Sequence, residues 1–138
     1  MSSTKVNIDW IEDLAFEAEV NGHKLVIDAE ESVGGKDRGP RPKPLTLVSL
    51  GGCTGMDVVS ILQKMRVNFE SCRVSVEAEQ TDEHPKYYHK IHLTYTFKGK
   101  DLPMAKLDKA VNLSQDRYCG VTAMLRSTAE LTYEIVIE

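Results

Sequence analysis

Apolar residues cover nearly every side of one long stretch, Leu45–Arg66 (LTLVSLGGCTGMDVVSILQKMR), and alternate with polar residues along most of the remaining chain. The first pattern predicts a helix that is apolar all round, and such a helix has to be buried. Gly51 and Gly52 lie inside it. Each costs about 1 kcal/mol relative to alanine in a helix, so another backbone or a small ligand is expected close to them. The alternating runs predict strands. One lies around Val6–Trp10, with Trp10 a core or edge residue; a second covers Leu14–Val20 and a third His23–Asp28. Asn21-Gly22 between the last two is a strong hairpin signal.

Residues 29–44 (AEESVGGKDRGPRPKP) hold three prolines and three glycines and predict a loop leading straight into the helix. Beyond the helix, Arg73–Glu79 and His89–Phe97 alternate again. Ile91, Leu93, Tyr95 and Phe97 share one face of the second run, and His92, Thr94 and Thr96 share the other. Pro103–Ser114 carries the helical stripe Leu107, Ala110, Val111 and Ser114, with Asp101 as a candidate cap. A break at Asp116–Thr122 leads into a short helix ending near Arg126, and Ala129–Glu138 alternates as a closing strand. No segment repeats. The pattern predicts one α+β domain over residues 1–138, with antiparallel strands, a buried central helix and a second helix.

Composition narrows the function classes. The chain has 138 residues, 41% of them hydrophobic, enough for one real core. A net charge of −4, with both signs dispersed, argues against nucleic acid as a partner. The start, MSSTKVNIDW, has no apolar signal core, so the expected compartment is the cytoplasm. Asp57, Gln63 and Lys64 interrupt the central apolar stretch, which argues against a membrane span. In a cytoplasmic chain, three cysteines do not read as a disulfide scaffold.

Cys53 and Cys119 are therefore the chemical candidates, each either a small core residue or a working thiol. Cys119 opens the short helix next to Arg117, and both a helix N-terminus and a cation favour a thiolate. Cys53 lies one turn before Asp57, whose charge disfavours a thiolate unless an arginine neutralises it. Among the basic loop residues, Arg38 and Arg41 are the candidates for that role. Gly51, Gly52 and Met56 are the candidate pocket residues. Cys72 begins a strand and reads as structural. No metal site is expected: His89 and His92 point to opposite faces of a strand, and no CxxC or HExxH occurs. No GxSxG or phosphate-binding loop is present either, and no cofactor is expected.

GPRPKPLTLVSLGGCTGMDVVSIL, followed by SQDRYCGVTAML and an alternating terminal strand, resembles the OsmC/Ohr family over nearly the whole chain, most closely its general OsmC-like branch. The resemblance implies an intertwined homodimer, with the central helices buried between sheets and two active sites at the subunit interface. It implies a thiol peroxidase that reduces organic hydroperoxides in oxidative-stress defence. Cys53 would be the peroxidatic thiol, Cys119 the resolving one, and a dithiol the reductant. Family members often carry a glutamate in the setting Pro-x-Glu-Leu before the first cysteine, paired with the arginine that orients it. The matching residue here is Pro44, which leaves Glu31 or Asp37 to take that part. The alternative is a non-enzymatic protein of the same fold that binds a small molecule or senses redox state.

Overall fold

The computed structural model describes residues 2–138. Its elements are β1 (Asn7–Glu12), β2 (Ala15–Val20), β3 (His23–Ile27), a 3-10 turn (Glu31–Val33), α1 (Pro42–Lys64), β4 (Ser71–Gln80), β5 (Tyr88–Lys98), α2 (Met104–Leu113), a π-helical turn (Ser114–Tyr118), α3 (Gly120–Arg126) and β6 (Glu130–Ile137). They fall into two compact units, Met1–Thr46 and Leu47–Glu138.

The first unit is the antiparallel sheet β1-β2-β3 with the loop that follows it. The β2–β3 hairpin turns at Asn21 and Gly22, with φ of 51° and 80°. Two successive left-handed residues match the twist of the flanking strands, and asparagine and glycine adopt that conformation most readily. Trp10 is an edge residue, not a core one: it is 63% exposed and its Nε1–H donates to the Asp13 carbonyl at 2.8 Å. After β3 the loop winds around Asp28. This buried carboxylate accepts the backbone N–H groups of Ala29 (2.7 Å), Lys36 (3.2 Å) and Arg38 (3.1 Å). Burial alone would raise its pKa, but those N–H groups and the Arg38 guanidinium outweigh it and hold Asp28 below the usual carboxylate range. Gly39 lets the returning loop lie against β3, because a Cβ there would run into the Val26 carbonyl.

Helix α1 starts at Pro42 and not at Leu45, so the expected loop is shorter than 29–44. Pro42 and Pro44 fall in the first turn, where a backbone N–H has no intrahelical acceptor to lose. By length and apolar content α1 meets the requirements of a membrane span as well as those of a core helix. One stripe of it packs into the core of the second unit. Leu50, Thr54, Val58 and Leu62, spaced four apart, form the buried stripe.

The second unit is the sheet β4-β5-β6, with β5 in the middle. β4 and β5 are antiparallel, with Val74 opposite Tyr95. β5 and β6 are parallel, with Leu93 opposite Tyr133, which corrects the expectation of antiparallel sheets throughout. The cause is the crossover through α2, the π turn and α3, which returns the chain in the same direction. Ile91, Leu93, Tyr95 and Phe97 of β5 are the centre of the core, clustered with Leu50, Val58 and Leu62 of α1 and Leu107, Ala110 and Val111 of α2. Within one chain α1 is not covered all round: Val48 and Met56 are 65% and 77% exposed, because a three-stranded sheet covers one stripe of a helix and not its full circumference. Asp101 does not cap α2: Pro103 occupies that position, without a side-chain cap bond.

Candidate functional site

Cys53 and Asp57 are one turn apart on α1 and so project from one face of it. Cys119 reaches the same place from a different part of the chain. After α2 the helix widens into the π turn Ser114–Tyr118, closed by Cys119 N–H donating to the Ser114 carbonyl at 2.8 Å. The wide turn buries Ser114 and Gln115. It leaves Cys119 in extended conformation as the N-cap of α3, where its Sγ accepts the Thr122 N–H at 3.4 Å. One sulfur from each cysteine and one carboxylate oxygen of Asp57 all lie within 4.8 Å of one another. The two sulfurs are free thiols, Cys53 partly exposed and Cys119 buried.

Burial pushes the Cys53 thiol above its ordinary pKa. Its hydrogen bond with Cys119 and the charge of Asp57 push the same way, and only the Val121 N–H opposes them. The surroundings thus favour the neutral form of the Cys53 thiol. Arg117, expected to assist Cys119, lies exposed with its guanidinium 5.9 Å from the centre of the Tyr118 ring.

Asp57 ends a buried hydrogen-bond chain with a determined direction. A carboxylate can only accept, so the Ser114 hydroxyl donates to Asp57 Oδ2 (2.9 Å). With its proton used, Ser114 accepts from Thr54 Oγ1 (2.7 Å), and Thr54 in turn accepts from the Tyr95 hydroxyl (2.7 Å). Tyr95 accepts from Gln115 Nε2 (2.6 Å), and Gln115 Oε1 accepts from Arg126 (3.4 Å). A cation on α3 and an anion on α1 thus terminate one line of aligned dipoles, each polarising the next. None of Thr54, Tyr95, Ser114, Gln115 or Arg126 stood out in the sequence as a site residue. The only available signal was polar residues at apolar-stripe positions, Thr54 on α1 and Ser114 at the end of α2.

Arg38 pairs with Asp13 (2.8 Å), Asp28 (3.6 Å) and Glu12 (3.8 Å). The Asp13 hydrogen bond, above all, raises its pKa. Arg41 pairs with Asp37 (2.6 Å) and donates to the Gly39 carbonyl (2.7 Å). A carboxylate for Arg41 is therefore present despite Pro44. Gly51 lies close to β4, where an added Cβ would come 3.2 Å from a methyl of Val76. Gly51 and Gly52 border an open groove of about 470 Å³ with Leu47, Val48, Val74 and Val76. Gly52 and Met56 border another of about 420 Å³ that Cys72 also lines. Neither groove is lined by Cys53 or Cys119. The physical reason is helical rotation: Gly52 and Met56 lie about 100° from the Cys53–Asp57 face. Cys72, with its thiol pKa raised by burial, packs against the core as expected of a structural residue.

Comparison with known proteins accords with this arrangement. A family model described as OsmC-like protein matches residues 34–134. Protein YhfA of Escherichia coli K12 is 36% identical over 135 residues, covering 96% of this chain and 98% of YhfA. The crystal structure of a hypothetical protein from Aquifex aeolicus VF5 superposes with a TM-score of 0.85 at 28% identity, covering 100% of this chain and 99% of the other. An organic hydroperoxide resistance protein OsmC from Legionella pneumophila shares the fold, with a TM-score of 0.71 at 13% identity over 99% of this chain and 98% of its own. The chain belongs to the OsmC-like protein family.

Proposed function

We propose that this protein is a thiol-dependent hydroperoxide reductase of the cytoplasm, acting in oxidative-stress defence, with Cys53 peroxidatic and Cys119 resolving. The observation that carries the reading is the convergence of two free thiols from separate elements, the more accessible on α1 and the buried one at the α3 N-cap. The hydroperoxide-resistance protein among the fold relatives supports the choice of substrate class.

The Cys53 thiol gives its proton to Asp57, and the thiolate attacks the terminal oxygen of ROOH. The O–O bond breaks, Cys53 becomes a sulfenic acid, and the leaving alkoxide takes the proton from Asp57 as ROH. The Cys119 thiol then attacks the sulfenic sulfur and releases water, forming the Cys53–Cys119 disulfide. Sulfurs within 4.8 Å need to approach by less than about 3 Å to bond. A dithiol reductant restores both thiols by exchange. Overall, ROOH and a dithiol become ROH, water and a disulfide. In this scheme Asp57 compensates for a Cys53 thiol whose pKa is raised by burial.

The active form in this reading is a homodimer. Met56 is 77% exposed on α1, and Trp10 and Leu25 are 63% and 40% exposed on the first sheet. Exposed apolar side chains on both elements favour a covering partner, and a second copy would complete the walls around Cys53. The test is consumption of cumene hydroperoxide with dithiothreitol, monitored alongside sedimentation. Turnover in the wild type that disappears in Cys53→Ser supports the reading. A fully reduced wild type that consumes no hydroperoxide contradicts it.

A further inference from the structure

The same three side chains that serve thiol chemistry form a donor set for a thiophilic metal ion. Cys53, Asp57 and Cys119 each offer one ligand atom, and the three atoms lie within 4.8 Å of one another. Tetrahedral zinc, with Zn–S near 2.3 Å and Zn–O near 2.1 Å, holds its ligand atoms roughly 3.4–3.8 Å apart. The site therefore needs to contract by about 1 Å, within reach of side-chain rotation. The donors are already oriented. Ser114 holds Asp57 through Oδ2 at 2.9 Å, the outer-shell support that ligating carboxylates ordinarily have. The Thr122 N–H fixes the Cys119 sulfur, and the Val121 N–H bonds that of Cys53. Two thiolates select zinc or copper(I), and the carboxylate favours the divalent ion.

We propose that the reduced protein binds one zinc ion through Cys53, Asp57 and Cys119, with the fourth position left to water or another small ligand. Binding replaces two S–H bonds by two Zn–S bonds and releases two protons. On the reading that Cys53 and Cys119 cycle between dithiol and disulfide, metal binding and oxidation exclude each other. The ion occupies the reduced site and shields it from peroxide, and the disulfide has no thiolates to offer. The sequence shows no chelating spacing because the fold alone brings the two ligating segments together.

The experiment is titration of untagged, fully reduced protein with zinc alone against a chromophoric chelator. The expected result is one zinc per chain, release of about two protons and protection of two thiols from a disulfide reagent. Oxidised protein should take up none. Because Cys119→Ser also alters a helix cap, Asp57→Asn carries the test. It should weaken zinc binding by at least about tenfold, the scale on which even outer-shell changes act, with an unchanged circular dichroism spectrum. Wild-type binding no tighter than that of Cys53→Ser/Cys119→Ser, or an Asp57→Asn affinity equal to wild type, overturns the proposal. Peroxide turnover without zinc binding removes the metal site and leaves the reductase; zinc binding without turnover does the reverse.

Discussion

The Ser114 hydroxyl lies 2.9 Å from Oδ2 of Asp57 and so ties the buried hydrogen-bond chain to the carboxylate that stands beside the two thiols. The contact depends on the π turn, since that wider turn begins at Ser114. Insertions of this kind inside helices recur at functional sites. Here the insertion turns one side chain toward the carboxylate while its carbonyl holds the Cys119 backbone.

Ser114→Ala should therefore cost more than a small substitution at a fully buried position suggests. It leaves Thr54 with an unmatched proton and Asp57 with an unmatched oxygen, a loss of about 1–3 kcal/mol. Urea unfolding of the reduced protein measures it. A change below about 0.5 kcal/mol would mean that the chain of bonds is not maintained in solution.

Tyr95→Phe removes the hydroxyl that joins Thr54 to Gln115. A similar loss of about 1–3 kcal/mol is expected. The two lesions interrupt one network, so Tyr95→Phe/Ser114→Ala should destabilise by clearly less than the sum of the single variants. Strict additivity in a double-mutant cycle would show that the bonds act independently.

Asp57→Asn should lower the pH at which Cys53 becomes reactive, because the carboxylate charge is one of the causes raising that thiol's pKa. Alkylation rates across pH 6 to 11 in chelator-treated protein would reveal it: the midpoint of the wild type lies above that of the variant. An upward shift in the variant would contradict the electrostatics described for the site.

Stability should fall as the pH rises into the alkaline range. Burial raises Cys53 and Cys72 from an ordinary 9.0, and Tyr95 and Tyr133 from 10.0. Between those values and the raised ones the folded chain holds protons that the unfolded chain has lost, so unfolding becomes easier with each step upward. At the acid end Asp28, lowered from 3.8, acts in the opposite sense: its contribution is present above that value and is lost as the pH falls through the lowered one. Thermal melts from pH 3 to 11 should show both declines. A melting temperature that keeps rising above pH 9 would contradict the alkaline part.

Much of this was legible in the residues. Alternation gave all six strands, and Asn21-Gly22 gave the hairpin, because each is a local property of the chain. The candidate thiols were legible too, through the resemblance carried by the segments around Cys53 and Cys119. The parallel pairing of β6 was not, since alternation shows which face a strand buries but not the direction of its neighbour. How much of α1 one chain covers was not legible for a related reason: an apolar circumference does not say which part of it the same chain buries. The line from Arg126 to Asp57 was invisible because its members come from α1, β5, the π turn and α3, and no local pattern links them.

The most direct measurement is the fate of the two sulfurs after one equivalent of cumene hydroperoxide, followed by mass spectrometry of reduced, metal-free protein. The account predicts a Cys53–Cys119 disulfide in the wild type. In Cys119→Ser it predicts a sulfenic acid on Cys53, trapped by dimedone. Oxidation that falls first on Cys119 or Cys72, with Cys53 still a free thiol, would contradict it.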